Sequence, residues 1–225
     1  MISQSSQDYL KTIYKLTHGQ NPVASVTTSL IAEHRAVAPA SVTNMLKKLA
    51  AMKLVEHTPY QGVVLTSTGK RIALEVLRHH RLLELYLSEV LGFDLDKVDE
   101  EADRLEHVIS EEFEDKIDRM LGYPTVDPHG APIPRKDGSI EYDHYLCLAD
   151  IPAGENVLVR QVSDQSAEML RYMATMGIKP NVEIEVVGRA PFNGPLEIVV
   201  NGEATYSLGL EVAAHIYVSS LGEDG

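Results

Sequence analysis

Residues 98–111 read VDEEADRLEHVISE and contain neither proline nor glycine, so the sequence predicts a helix over this stretch. Asp103, Glu106 and His107 lie at i, i+3 and i+4 and share one face of that helix, with Asp99 one turn earlier. An apolar stripe runs beside them, formed by Leu105, Val108, Ile109 and Phe113. A divalent cation would balance these acids next to a core. The alternative interpretation is a solvated acidic face that carries one histidine.

A second helical pattern precedes this stretch, and it begins at Thr68. It carries His80 and Glu84 at i and i+4, on one face. Such a pair is usually a surface hydrogen bond, but opposite the acidic helix it resembles the remainder of a metal site. Residues 92–94 separate the two helices, and the acidic helix is predicted to continue to about Leu121. Both helices have extensive apolar faces, which a symmetric helical dimer would bury.

The front of the chain follows the pattern of a helix-turn-helix. A first helix ends near residues 19–22, and residues 27–29 supply N-caps for a short second helix. Pro39 suits the first turn of a third helix, because its missing N–H would be unpaired there anyway. The face of the third helix opposite its apolar side carries small polar and basic residues, as a DNA-recognition helix does.

Residues 54–57 and 63–66 predict two short strands joined by a turn, which would add a wing to the helix-turn-helix. The alternative is a helical domain that binds another protein, but a lysine pair on a face without acids favours DNA. In that interpretation Ser41, Thr43 and Asn44 reach base edges, and Lys47 and Lys48 contact phosphates. The other candidate DNA-binding residues are Thr27, Pro39, Tyr60 and Gln61.

The chain has 225 residues, enough for two or three small domains, and a formal net charge of −13. Residues 1–75 carry +4 and residues 76–225 carry −17, so the front can meet a phosphate backbone although the chain is acidic. The single cysteine, Cys147, excludes an intrachain disulfide, as expected in a reducing cytoplasm. The sequence predicts neither a signal peptide nor a membrane span, and it contains no catalytic triad, phosphate loop or dinucleotide fingerprint.

The rear third has the pattern of a small β-barrel. Four short strands are predicted at residues 156–160, 183–187, 196–200 and 215–218, and a short helix is predicted over residues 167–173. A stiff proline-rich connector at residues 123–134 precedes them. The predicted fold is therefore mainly α with β, in three domains. These are a winged helix-turn-helix at 1–72, a helical dimerisation and metal-binding domain at 73–146, and an SH3-like barrel at 147–225.

Taken together, these segments resemble the diphtheria toxin repressor family of metal-dependent transcriptional repressors. The order that carries the resemblance is a winged helix, RHHRLLE at 78–84, EADRLEH at 101–107, PHGAPIP at 128–134 and a small barrel. The resemblance covers almost the whole chain. It implies a metal-activated homodimer that binds palindromic operator DNA and represses metal uptake, with no membrane and no small-molecule substrate as partner.

The resemblance also implies two metal positions in each subunit. The primary site would use Asp8, Asp103, Glu106 and His107. The second site would use His80 and Glu84, with Asp99 where the family has a histidine. Ligands from the barrel are also expected, and the candidates there are Asp164, Gln165 and Glu168.

The carboxylates at Asp8 and Asp103 bear on the choice of metal, because the iron-responsive branch has methionine and cysteine at these positions. Hard oxygen ligands suit Mn²⁺, so the predicted cofactor is Mn²⁺, with Fe²⁺ as the alternative. The manganese branch usually lacks the barrel and has a glutamate where this chain has Lys11, so the chain is a hybrid of the two. Two other functions remain open at this point: a di-metal carboxylate enzyme, and a winged-helix adaptor that binds no metal.

Overall fold

The computed structural model describes residues 2–20, 22–58 and 62–221, and these residues form two compact units. The first unit contains the described residues up to His80, together with Glu106–Ser110 and Pro134–Ile140. The second unit contains Arg81–Leu105, Glu111–Ile133 and the described chain from Glu141 onward.

The first unit begins with three helices, α1 (Gln4–His18), α2 (Thr28–His34) and α3 (Pro39–Ala51). The Ser3 side chain caps α1 by accepting from the Ser6 N–H, and Thr27 caps α2 by accepting from the Leu30 N–H. Pro39 is the first residue of α3, as predicted. The buried faces of the three helices form one core with Leu10, Ile13, Tyr14, Ile31, Val42, Leu46 and Leu49.

Strands β1 (Val55–Thr58) and β2 (Gly62–Leu65) pair antiparallel after α3, with Glu56 opposite Val64. This hairpin confirms the predicted wing. Tyr60 and Gln61, which were predicted to bind DNA, lie outside the described residues. Helix α4 (Ser67–Glu89) follows directly as one continuous element of 23 residues.

The acidic stretch is divided between two helices, so the prediction of one continuous helix is wrong. Helix α5 (Val98–Leu105) ends before Glu106, and α6 (Glu111–Met120) begins after a turn over residues 106–110. Both helices have three acids in their first turn, where the positive end of the helix dipole stabilises them. Of the three acids that suggested one long acidic face, Asp99 and Asp103 lie in α5 and Glu106 follows its end.

The rear of the second unit is a six-stranded sheet in which all neighbours are antiparallel. Its strands are β3 (Leu146–Cys147), β4 (Asn156–Val162), β5 (Glu183–Arg189), β6 (Leu196–Val200), β7 (Ala204–Leu208) and β8 (Ile216–Ser220), in the order β3-β8-β4-β5-β6-β7. Helices α7 (Ala167–Thr175) and α8 (Leu210–Ala213) complete it, and one buried apolar cluster joins strands and helices. The sequence predicted β4, β5, β6, β8 and α7, but it missed β3, β7 and α8.

The long proline-rich segment contains no helix in the structure, as its composition predicted. Arginines of α4 bind two of its carbonyl oxygens, because a proline residue still has a carbonyl acceptor although it lacks an N–H. Arg81 donates to the Pro132 carbonyl, and Arg78 donates to that of Pro134 at 2.9 Å. Across the described ranges, no helix combines the length and the apolar character that a membrane crossing requires.

Candidate metal centre

Three potential ligands meet in the first unit, where α1 approaches the turn at residues 106–110. Oδ1 of Asp8 lies 2.7 Å from Nε2 of His107, and Oε1 of Glu106 lies 3.3 Å from the same nitrogen. One donor atom of each residue lies within 4.8 Å of the other two. Two carboxylates and an imidazole make a donor set that fits a divalent cation, so we name this group the Asp8 cluster.

Asp8 is held in place from its other side. Nη2 of Arg35 lies 3.0 Å from Oδ2 of Asp8, and the Arg35 guanidinium lies 5.0 Å from the centre of the Tyr9 ring. The two Asp8 oxygens therefore have different partners, with Oδ2 toward arginine and Oδ1 toward the imidazole. The Asp8 side chain is 23% exposed while that of Glu106 is fully buried, so solvent reaches the cluster at its Asp8 side.

Glu106 also binds groups that lie away from Asp8. Nζ of Lys11 lies 2.8 Å from Oε1 and 2.7 Å from Oε2 of Glu106. Nδ1 of His80 lies 2.7 Å from Oε2 of Glu106 and 3.3 Å from Nζ of Lys11. The backbone carbonyl of Glu106 is also contacted, since Nδ1 of His79 lies 3.0 Å from it. The Glu106 carboxylate therefore has three side chains within 3.3 Å, those of His107, Lys11 and His80.

A second group of potential ligands is completely buried in the second unit. It consists of Glu84, Asp127 and His129, each with a donor atom within 4.8 Å of the other two, and we name it the Glu84 cluster. Nε2 of His129 lies 3.2 Å from the Leu95 carbonyl, so it can donate there and leave the Nδ1 lone pair available. Nδ1 is buried, lies 3.6 Å from Oε1 of Glu84, and forms no hydrogen bond with a described residue. This available nitrogen beside two carboxylates fits a metal ion.

The pKa values of Asp127 and His129 are both raised by buried neighbouring groups. Burial and the neighbouring Glu84 carboxylate raise the pKa of Asp127 to about 6, although Arg81 opposes them. Burial by itself would lower the pKa of His129, but the charges of Glu84, Asp127 and Asp164 outweigh burial and raise it. Burial raises the pKa of Asp127 because the charged carboxylate is disfavoured there, and a divalent metal would supply the compensating positive charge in place of the proton.

The loop that carries Asp127 and His129 approaches strand β4 very closely at Gly130. This residue has φ of +89°, and a Cβ built on it would lie 2.0 Å from the Arg160 carbonyl oxygen. Oδ1 of Asp127 accepts from the His129 and Ala131 N–H groups at 2.9 Å each, which fixes the turn from inside. Only glycine allows this backbone to lie against the strand in this conformation.

Gly130→Ala is expected to lower the free energy of unfolding by about 1–3 kcal/mol, because alanine is strained at this φ and its Cβ clashes with the Arg160 carbonyl. The clash should also displace His129 and so weaken metal binding at the Glu84 cluster. Thermal unfolding and Mn²⁺ titration measure the two effects. Gly154→Ala is the matched control, since Gly154 has φ of +90° and no atom within 4 Å of its built Cβ. An equal loss in both variants would mean that backbone conformation alone, and not the close approach, determines the effect.

The remaining predicted ligands have different positions. Asp99 and Asp103 lie one turn apart on α5 in the second unit, and their role as ligands stays a prediction. Because α5 ends at Leu105, the argument that a single helix face joins Asp103 to Glu106 and His107 is wrong. His80 contacts Glu106 while Glu84 belongs to the Glu84 cluster, so their assignment to one common metal also stays a prediction.

Among the barrel candidates, Asp164 acts electrostatically on His129 and raises its pKa. Gln165 and Glu168 are exposed, and Glu168 lies in the first turn of α7. The sequence interpretation missed Asp127 and His129 as potential ligands, because the segment was treated as a stiff connector. An aspartate and a histidine two residues apart, just before a glycine in a proline-rich segment, were the available signal.

The predicted DNA-binding residues of α3 lie on its accessible side. Pro39, Ser41, Asn44, Lys47 and Lys48 are exposed. Thr43 is half-buried and its hydroxyl donates to the Pro39 carbonyl at 3.0 Å, which limits its freedom to reach a base. Thr27 is exposed but its hydroxyl caps α2.

Comparison with known proteins gives three matches that together cover most of the chain. Residues 1–63 match the model described as iron dependent repressor, N-terminal DNA binding domain. Residues 66–135 match the iron dependent repressor, metal binding and dimerisation domain, and residues 146–220 match the FeoA domain. The helical front and the SH3-like β rear of the predicted layout are thereby confirmed. The exact domain limits predicted from the sequence stay predictions.

Whole-chain relatives agree with these matches. The chain is 30% identical over 212 residues to the diphtheria toxin repressor of Corynebacterium efficiens, and the match covers 89% of each chain. It is 28% identical over 236 residues to the iron-dependent repressor IdeR of Mycobacterium tuberculosis, covering 98% of this chain and 99% of that one. A solved manganese-dependent transcriptional repressor in complex with manganese is 37% identical, with a TM-score of 0.88 over 96% of this chain and 100% of that one.

These relatives are transcriptional repressors and not enzymes, so the di-metal enzyme alternative is set aside. The segment matched as DNA binding domain precedes the one matched as metal binding and dimerisation domain, and the Asp8 and Glu84 clusters draw their residues from these two segments. This chain therefore belongs to the family of metal-dependent transcriptional repressors that includes the diphtheria toxin repressor.

Proposed function

We propose that the chain is a homodimeric repressor activated by Mn²⁺, which binds palindromic operator DNA in the cytoplasm and represses metal-uptake genes. The Asp8 cluster is the observation that carries this proposal. Asp8 belongs to the first helix of the DNA-binding domain, whereas Glu106 and His107 belong to the segment matched as metal binding and dimerisation domain. A cation held by all three would join the two functions.

The donor atoms of the two clusters favour Mn²⁺ over Fe²⁺ as the bound metal. The Asp8 cluster offers two carboxylates and one imidazole, and the Glu84 cluster offers the same set. Both clusters consist of carboxylates and an imidazole, and the thiol of Cys147 lies elsewhere, in β3. Hard oxygen donors suit Mn²⁺, and Fe²⁺ is the alternative. When bound, the metal supplies positive charge and fixes the positions of its ligands.

Activation then follows from linkage between metal and DNA. In the absence of a cation, Oδ1 of Asp8 on α1 lies 2.7 Å from Nε2 of His107, a contact that a shared metal would strengthen. A metal strengthens DNA binding only if it binds the DNA-competent arrangement more tightly than the other arrangements. The proposed competent arrangement is the one in which Asp8, Glu106 and His107 are together, since separating them removes ligands from the metal.

Exposed apolar residues in the helical part of the second unit support the proposed dimer. Val90, Leu91, Phe93 and Phe113 are between 38% and 54% exposed, and Met120 is 64% exposed. They fall in the segment matched as metal binding and dimerisation domain. A two-fold axis through this surface would pair two recognition helices, as a palindromic operator requires.

Lys47 and Asn44, two exposed residues of α3, should have different roles in DNA binding. Lys47→Ala is expected to weaken binding to all sequences about equally and to reduce the slope of log K against log salt by about 0.9. Asn44→Ala is expected instead to relax the preference at one base position. Lys116→Ala is the control, because Lys116 pairs with Glu112 on α6 in the second unit. Fluorescence anisotropy over a salt series, with base-substituted operators, separates these outcomes.

The proposed function is tested by measuring operator affinity in Mn²⁺, Fe²⁺ and Zn²⁺ on chelator-treated protein at one salt concentration, using a palindrome selected from random DNA. Mn²⁺ is expected to tighten binding about 5–150-fold, and sedimentation should show a dimer on the DNA. Activation by Zn²⁺ but not by Mn²⁺ at cellular concentrations would overturn the metal assignment. Metal-independent binding would favour the adaptor alternative.

A further inference from the structure

The geometry points to Lys11 as a built-in cation of the Asp8 cluster: we propose that its ammonium group occupies the place where a second metal ion would bind Glu106, so that the cluster takes only one Mn²⁺. This inference rests on the proposed function, because it concerns the same metal site. Lys11 is 8% exposed and lies one turn after Asp8 on the same helix.

The first step is the bridging position of Glu106. On one side, Oε1 of Glu106 lies 3.3 Å from Nε2 of His107, in the cluster that contains Asp8. On the other side, Oε2 lies 2.7 Å from both Nζ of Lys11 and Nδ1 of His80. Nζ of Lys11 also lies 2.8 Å from Oε1, so the ammonium group spans both oxygens, with the His107 imidazole beside Oε1 and the His80 imidazole beside Oε2. A carboxylate between two such donor environments can bridge two cations. In this chain one of those environments already contains an ammonium group.

The second step is the set of groups around Nζ. Lys11 meets a buried carboxylate and the nitrogen of a buried imidazole, and His80 is only 1% exposed. A carboxylate and an imidazole are also metal ligands, and one further carboxylate at position 11 would complete a second site of the same composition as the Asp8 cluster. The lysine supplies the compensating charge without a metal.

The third step is the effect on metal affinity. The ammonium partly neutralises the Glu106 charge that Mn²⁺ would otherwise meet, and the two cations repel each other across the same carboxylate. Lys11 is therefore expected to lower the affinity of the Asp8 cluster for Mn²⁺ and to keep Glu106 in place while no metal is bound. With a lowered affinity and a preformed site, the Asp8 cluster would bind Mn²⁺ only when the metal is abundant.

Two variants and one control test this inference on the full chain. Lys11→Glu should bind one Mn²⁺ more per chain than the wild type, with an exchange-coupled pair visible by electron paramagnetic resonance. Lys11→Met should bind the same number as the wild type but with at least ~5-fold higher affinity at the Asp8 cluster. Lys15→Glu makes the same charge change one turn later on α1 and should alter neither number nor affinity.

Equilibrium dialysis with Mn²⁺, followed by metal analysis, distinguishes the outcomes. A folded Lys11→Glu chain with the wild-type number of Mn²⁺ ions would overturn the inference and leave the proposed function intact. If Lys11→Glu does not fold, Lys11→Met decides: tighter Mn²⁺ binding supports the inference, and unchanged or weaker binding overturns it, since a purely structural lysine would only misplace Glu106 on removal. A wild-type chain that binds no Mn²⁺ would instead remove the proposed function itself.

Discussion

Asp8→Ala is expected to abolish most of the Mn²⁺ effect on operator affinity while leaving the dimer folded. Asp8 is the residue through which α1 reaches the Asp8 cluster, and its Oδ1 lies 2.7 Å from Nε2 of His107. Without that carboxylate, metal bound by Glu106 and His107 no longer distinguishes between arrangements of α1. The expected activation of about 5–150-fold should therefore fall close to onefold. Anisotropy titrations with and without Mn²⁺ measure the ratio directly.

Two comparisons make this result specific. Asp8→Asn retains the shape of the side chain and a contact to His107, but it removes the charge, so its loss of activation should approach that of Asp8→Ala. Glu33→Ala removes an exposed carboxylate from α2 of the same unit and should retain full activation. A normal Mn²⁺ response in Asp8→Ala would exclude Asp8 from the switch.

Among the variants proposed for this chain, Glu106→Ala should lose the most stability. Its free energy of unfolding, measured with a chelator present to remove metal, should fall by about 3–5 kcal/mol. The Glu106 side chain is fully buried, and it is the carboxylate that faces Lys11 at 2.7 Å and His80 at 2.7 Å. Its removal leaves a buried ammonium group without its counter-charge. The cost arises from the buried ammonium group that loses this carboxylate more than from the lost attraction, because a buried charge pair by itself adds little net stability.

The double variant Glu106→Ala/Lys11→Met separates these contributions. Once the ammonium group is gone, most of the penalty should be recovered, so the double variant should be more stable than Glu106→Ala. Urea unfolding of the wild type, the two single variants and the double variant gives the coupling free energy between Glu106 and Lys11. It is expected to be well above about 0.5 kcal/mol, the deviation from additivity that independent sites show. Additive losses would show that Glu106 stabilises the fold through contacts other than Lys11.

Much of the fold could be predicted from local sequence patterns. Pro39 predicted the start of α3, the wing strands were within one residue of their observed positions, and β6 was predicted at residues 196–200, as observed. These elements depend on neighbours in sequence, through capping, proline geometry and alternation of apolar residues. The break at residues 106–110 was missed because this stretch contains neither proline nor glycine, which are the usual signals of a helix end.

The sequence alone determined which residue types could bind a hard cation and which helix could meet DNA, because charge, ligand chemistry and periodicity are properties of the chain itself. Only the tertiary structure decided how those residues are combined. It pairs Lys11 with Glu106 across 95 positions, and it places Asp127 and His129 with Glu84 through a loop that requires Gly130. Contacts between residues so far apart depend on how the elements pack, and no local pattern encodes that packing.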